Sequence, residues 1–199
     1  TTPVSWLTVQ LKLLECIIMD FKQVTEKLLA EFQKADIHYA LMGGFALAAW
    51  GLSRTTIDID FLIQRDDVKK VHAIMSAMGY ECRYQTENVS QFISPLKVFG
   101  EVDFLHAFRE ISTGMLRRAE EKKIFNGTIT IRVLRIEDII GLKVQAMAND
   151  NSRAARDLDD IKSLLSQYKN RIDWPVIEEY FGMFGMQDIL TDLRKWMKW

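Results

Sequence analysis

Asp58 and Asp60 stand two residues apart in the segment Ile57–Ile63, and this spacing is the clearest chemical signal in the chain. The segment alternates, with Ile57, Ile59 and Phe61 on one face and the two aspartates on the other. Read as a strand, it holds both carboxylates on one side with Cα atoms about 6–7 Å apart, so their oxygens can converge. Buried like charges repel unless a cation lies between them. Hard oxygen ligands of this kind suit Mg2+ or Mn2+, which keep open positions for water and phosphate oxygens. Asp103 interrupts the otherwise apolar run Val102–Leu105. From a neighbouring strand it would complete the ligand set for two ions about 3.5–4 Å apart. Taken alone, an Asp-x-Asp also fits the solvated face of an edge strand, although aspartate is a poor strand former.

Gly43-Gly44 changes that balance. Ile37–Met42 reads as a short buried strand that stops at the glycines, and the compact Ala-rich Phe45–Trp50 reads as a helix leaving them. Glycines at such a junction let backbone approach a phosphate, and a helix N-terminus offers unpaired N–H groups. A plain strand-to-helix turn needs nothing more than the same two residues. With Asp58 and Asp60 on the next strand, however, the arrangement reads as a phosphate cradle facing a metal site.

The elements that must position these groups follow from periodicity and punctuation. Met19–Lys34 carries Phe21, Val24, Leu28, Leu29 and Phe32 at helical spacing. Asp66 is placed to cap a helix bearing Val68, Val71, Met75 and Met78 that closes at Gly79. Tyr80–Tyr84, Val89–Ile93 and Leu96–Phe99 are expected as short strands, Val102–Leu105 as a better-defined one and Phe108–Ala119 as a helix. Lys123–Phe125 and Thr128–Val133 would form a hairpin with a type I′ turn at Asn126-Gly127. Beyond Ile136 the pattern is helical, with Glu137–Ala148, a loop over 149–152, Arg153–Tyr168, a helix from Trp174-Pro175 and a last one over Met186–Trp199. The expected fold is a mixed α/β (α+β) domain over residues 19–135, a twisted mixed sheet flanked by helices. A helical C-terminal part over 136–199 would pack on it and share its core.

Met42-Gly43-Gly44 followed by Arg54-x-Thr56-x-Asp58-x-Asp60 resembles the signature of the polymerase-β-like nucleotidyltransferase superfamily. It looks closest to the minimal, toxin-type branch that includes the abortive-infection AbiE toxin. Leu142-Lys143-Val144-Gln145-Ala146, then Arg153-x-x-Arg156-Asp157-x-x-Asp160-Ile161, is similar to the later motifs of that branch. The resemblance covers about Ile37 to Leu165. It implies that Gly43 and Gly44, with Thr56, hold a triphosphate, that Asp58, Asp60 and Asp103 bind metal, and that Lys143 neutralises phosphate charge. It further implies that Asp157 orients Lys143 or helps activate the acceptor. Many members carry Gly-Ser where this chain has Gly43-Gly44, so a hydroxyl contact to phosphate is missing.

Without the resemblance, Lys143 also reads as a surface lysine on a helix whose apolar positions are Ile139, Ile140, Val144 and Met147. Arg54 either touches a phosphate or caps the carbonyls around Gly51. Arg153/Asp157 and Arg156/Asp160 are i,i+4 pairs, each worth about 0.2–0.5 kcal/mol as simple helix ion pairs. Ala154, Leu158, Ile161 and Leu165 would form the core stripe of that helix. Arg117-Arg118 and Lys122-Lys123, interleaved with Glu120 and Glu121, read as a solvated face. Trp196 and Trp199 read as core or partner interface.

Composition sets the outer limits. The 199 residues, 48% hydrophobic and 27% charged, suit one well-cored domain, and a net charge of −1 gives no global pull toward nucleic acid. Cys16 and Cys82 are too few for a metal framework or disulfide scaffold and read as reduced thiols in a cytoplasmic protein. No apolar run is long enough for a membrane span. Residues 1–18 lack the basic start and small-residue site of a signal and read as an upstream extension or an added helix before Met19. The expected activity is Mg2+- or Mn2+-dependent transfer of NMP from an NTP such as ATP to the hydroxyl of an RNA, tRNA or protein acceptor. By resemblance this would be the toxin of a pair with an antitoxin protein. The alternatives are transfer to a small-molecule antibiotic, and a catalytically silent nucleotide-binding protein of the same fold.

Overall fold

The computed structural model describes residues 21–52, 56–95 and 99–197. The expected extension over 1–18, Arg54 and most of the expected strand Leu96–Phe99 lie outside the described residues. Helix α1 covers residues 21–34 and buries Phe21, Val24, Leu28 and Phe32, the stripe its sequence spacing requires. Strand β1 (Tyr39–Met42) runs into α2 (Gly43–Ala49), and β2 (Asp58–Gln64) returns antiparallel to β1. In β2 Ile59, Phe61 and Ile63 are buried on one face, Leu62 beyond the aspartates is buried on the other, and Ile57 precedes the strand and is exposed.

A 3-10 turn (Arg65–Asp67) leads into α3 (Val68–Ala77), so the cap expected at Asp66 is not the one formed. Asp67 occupies the junction, and its carboxylate instead accepts the His38 N–H at 3.0 Å and pairs with Lys70. Strands β3 (Glu81–Gln85), β4 (Val89–Ile93) and β5 (Glu101–Ala107) follow, then α4 (Glu110–Arg117), β6 (Glu120–Ile124) and β7 (Ile129–Val133). Helix α4 is shorter than expected because β6 begins at Glu120. The hairpin between β6 and β7 keeps the expected register, with Ile124 opposite Ile129, and its turn takes in residues 125–128. Positive φ falls at Phe125 and Asn126 and again at Gly127, and the Gly127 N–H closes on the Ile124 carbonyl at 3.1 Å.

The C-terminal helices are α5 (Ile136–Asn149), α6 (Ala154–Tyr168), α7 (Trp174–Met183) and α8 (Gln187–Trp196). The seven strands form one mixed sheet in the order β3-β4-β5-β2-β1-β7-β6. One cluster of buried side chains runs from Phe21 through the sheet to Leu193 in α8. Among the described residues no helix is long and apolar enough to cross a membrane.

Candidate active site

Register alone brings the carboxylates together. Strands β2 and β5 are parallel neighbours with Asp58 opposite Glu101 and Asp60 opposite Asp103. Residues directly opposite in a ladder share a face, so all four acids lie on the same side of the sheet. Asp58, Asp60 and Asp103 each offer an oxygen within 4.8 Å of the others. The three aspartates named from sequence therefore meet, and Glu101, which sequence reading passed over, stands beside them.

Each of the three is held by one neutral donor. The Thr56 hydroxyl donates to Asp58 Oδ1 at 2.5 Å. The Gly44 amide donates to Asp60, and Gln91 Nε2 on β4 donates to Asp103 Oδ2 at 3.0 Å. Asp103 Oδ1 is shielded from solvent and has no hydrogen-bond partner among the described residues. Burial raises the pKa of Asp60 to about 7, aided by the charges of Asp58 and Asp103 and opposed by the Gly44 N–H and Arg153. Burial likewise raises Asp103, against the Gln91 hydrogen bond and with Asp58 and Glu101 adding to the rise. Crowded carboxylates that resist ionisation, with a buried oxygen left unpaired, fit a small divalent cation among them.

Gly43 and Gly44 are explained first by these neighbours. Gly43 has φ +66, and a Cβ there would lie 1.8 Å from Asp60 Oδ2. A Cβ on Gly44 would fall 2.6 Å from the Thr56 Cβ. The glycine pair thus lets the carboxylate-bearing face close up, and at least the Gly44 amide is engaged by Asp60 and not left unpaired as expected.

Helices α5 and α6 face the carboxylates across an open cleft of about 770 Å³. Lys143, Arg153 and Arg156 line it together with Asp58, Asp60, Asp103 and both glycines. Lys143 Nζ donates to Asp157 Oδ1 at 2.9 Å and to Asp160 Oδ2 at 2.5 Å. Arg153 Nε reaches Asp157 Oδ2 at 3.3 Å. Asp157 is fully buried, as are Ile161, Leu164 and Leu165 on the same helix, while Leu158 of the expected stripe is half-buried. Asp160, read from sequence as the partner of Arg156, reaches Lys143.

A second network went unread in the sequence. Arg118, expected on a solvated face, donates to both oxygens of the fully buried Asp138 on α5, with Nε at 2.9 and 3.1 Å. The Tyr180 hydroxyl on α7 donates to Asp138 Oδ1 at 2.7 Å and lies 2.7 Å from Arg118 Nη2. Only long-range packing joins these three residues, and no local spacing announces them.

A profile of the family described as "Uncharacterised nucleotidyltransferase" matches residues 19–194. No curated protein matches the chain. Among solved structures, the crystal structure of ANT(2'')-Ia in complex with adenylyl-2''-tobramycin is 15% identical, with a TM-score of 0.65 over 83% of this chain and 97% of that one. The solution structure of the same antibiotic-resistance factor is 16% identical, with a TM-score of 0.61 over 88% and 98%. An antigenic nucleotidyltransferase-like protein from Paracoccidioides brasiliensis is 17% identical, with a TM-score of 0.52 over 88% and 92%. At these identities the likeness concerns the fold, whose sheet and flanking helices these structures share.

Proposed function

The chain belongs to this nucleotidyltransferase family, and from that premise we propose that it transfers a nucleoside monophosphate from an NTP, ATP included, to an acceptor hydroxyl. The observation that carries the reading is the convergence of Asp58, Asp60 and Asp103 within 4.8 Å, one buried oxygen of Asp103 lacking any partner. Asp58, Asp60 and Asp103 hold divalent cations, Mg2+ or Mn2+, which when bound neutralise phosphate charge and lower the pKa of the attacking hydroxyl. Gly43, Gly44 and Thr56 keep the wall beside the carboxylates thin enough for a triphosphate to approach. Lys143, held by Asp157, faces the same cleft as a counter-charge for phosphate. The acceptor oxygen bonds to the α-phosphorus as the bond to pyrophosphate breaks. The residues act by placing the reactants and by fixed charge.

The acceptor in this reading is an RNA, a tRNA or a protein, as for the toxin of a toxin–antitoxin pair, with Arg153 and Arg156 at the cleft as its first electrostatic contacts. A second reading is a small-molecule antibiotic acceptor. The cleft volume of about 770 Å³ falls within the range of sites for drug-sized ligands, and ANT(2'')-Ia has been solved with an adenylylated antibiotic. Each labelled NTP is to be incubated with the protein and Mg2+ in the presence of total RNA, cell lysate or a panel of hydroxylated antibiotics. Label is expected on one acceptor class and is expected to vanish in Asp58→Ala. Label that persists in Asp58→Ala would overturn the mechanism, and no label with any NTP and acceptor would favour a silent nucleotide-binding protein.

A further inference from the structure

Three carboxylates are held by three neutral donors, and two of the donors come from the segments beside the glycine turn and β2. The third does not. Gln91 sits on β4, directly opposite Asp103 in the antiparallel β4–β5 ladder, and reaches Asp103 Oδ2 at 3.0 Å. Strand register therefore fixes both residues on the face that carries Asp58 and Asp60. Asp103 is left with one oxygen engaged and the other, Oδ1, shielded and unpaired. A carboxylate can rotate about its Cβ–Cγ bond, and an anchor on one oxygen decides where the other points.

The kind of donor matters as much as its place. A lysine or arginine opposite Asp103 would cancel its charge and compete with a cation, whereas a neutral amide orients the oxygen and leaves the charge in place. Gln91 is half-buried and borders the edge of the cluster. We propose that Gln91 is a positioning residue, holding Asp103 so that Oδ1 serves as a one-oxygen ligand to a divalent cation. This inference rests on the metal-dependent reading of the site.

The test is Mn2+ titration of the full chain, followed by loss of the free Mn2+ signal in electron paramagnetic resonance. Gln91→Met keeps the length of the side chain without a donor, and Gln91→Ala removes it. Both variants are expected to weaken Mn2+ binding by roughly tenfold or more, the scale of outer-shell effects on metal affinity. Their melting in EDTA is expected to fall only modestly with the lost hydrogen bond, the variants staying folded, and kcat is expected to fall more than the KM for nucleotide. The loss should disappear in an Asp103→Asn background, because a residue acting through Asp103 has nothing left to orient. Wild-type Mn2+ affinity in either folded variant, or an undiminished Gln91 effect on top of Asp103→Asn, would overturn the assignment. No Mn2+ binding by wild type would instead bring down the metal-dependent reading itself, before Gln91 is considered.

Discussion

Gly43 and Asp60 approach so closely that a Cβ on the glycine would lie 1.8 Å from the Asp60 Oδ2 atom. Gly43 also holds φ +66, a region that costs an ordinary residue about 1–2 kcal/mol. Gly43→Ala must therefore push Asp60 away from Asp58 and Asp103. A displacement of about 1 Å in a positioned group is enough to cost about 100-fold in rate. The expected result is a loss of nucleotidyl transfer of that order or more, with a folded protein by circular dichroism. Unchanged kcat in Gly43→Ala would show that Asp60 has no exacting position.

Asp60 makes the stability of the metal-free protein depend on pH. Its folded pKa of about 7 lies above the ordinary aspartate value, mainly through burial and next through Asp58. A carboxyl raised in this way binds its proton more tightly when folded. Its contribution to stability is fully present below the unfolded value near 4 and is lost as pH rises through about 7. In EDTA the melting temperature is thus expected to fall between pH 5 and pH 8 through this group, and Asp60→Asn should flatten that fall. Mg2+ or Mn2+ should restore stability at pH 8 in wild type and not in Asp60→Asn. Thermal melts at matched ionic strength across that range provide the check.

The parts of this arrangement that repeat locally could be read from sequence, and the parts that depend on register could not. Alternation in β2 announced which face Asp58 and Asp60 share, and the apolar run around Asp103 marked β5. Helical spacing placed Lys143 and Asp157 on consecutive helices. That Lys143 also meets Asp160, and that Asp157 is buried, follow from how α5 packs on α6, which no window of sequence contains. Gln91 became visible only when β4 was seen opposite β5. Arg118 failed to stand out because charged neighbours at 117 and 120–123 hid its long-range partner, Asp138. The hairpin keeps its register but its turn widens to four residues because Phe125 adopts positive φ, a conformation its side chain gives no reason to expect.

The contact of Gly141 with Tyr180 gives a prediction about stability alone. A Cβ on Gly141 would meet the Tyr180 ring at 2.7 Å, and Tyr180 holds the fully buried Asp138 together with Arg118. Gly141→Ala overpacks this joint between α5 and α7 and is expected to destabilise by about 1–3 kcal/mol. Tyr180→Phe keeps the packing and removes two hydrogen bonds to charged groups, to Asp138 and from Arg118, each worth roughly 1.5–3 kcal/mol. Denaturant melts should show both losses, while transfer activity measured well below the melting temperature stays near wild type. A larger loss of activity than of stability would show that this joint shapes the cleft.

The tie of Lys143 to α6 and its proposed role at phosphate are confounded by one variant and separated by a pair. Its side chain is largely buried and joins Asp157, which is wholly buried, at 2.9 Å. Lys143→Met leaves that carboxylate with Arg153, half-exposed at 3.3 Å, as a counter-charge. Breaking a buried pair from one side costs up to about 3–5 kcal/mol, so the melting temperature is expected to fall along with transfer. Asp157→Asn in the same chain removes the wholly buried one of the two carboxylates that Lys143 holds, leaving the more accessible Asp160. In Lys143→Met/Asp157→Asn stability is therefore expected to recover most of what Lys143→Met lost. Activity should not recover with it if Lys143 meets phosphate, because the cation facing the cleft is still missing. The decisive measurement is the pair of melting temperature and kcat/KM for the single and double variants. Recovery of both together would reduce Lys143 to a structural tie between α5 and α6; recovery of stability alone would establish it as part of the phosphate site.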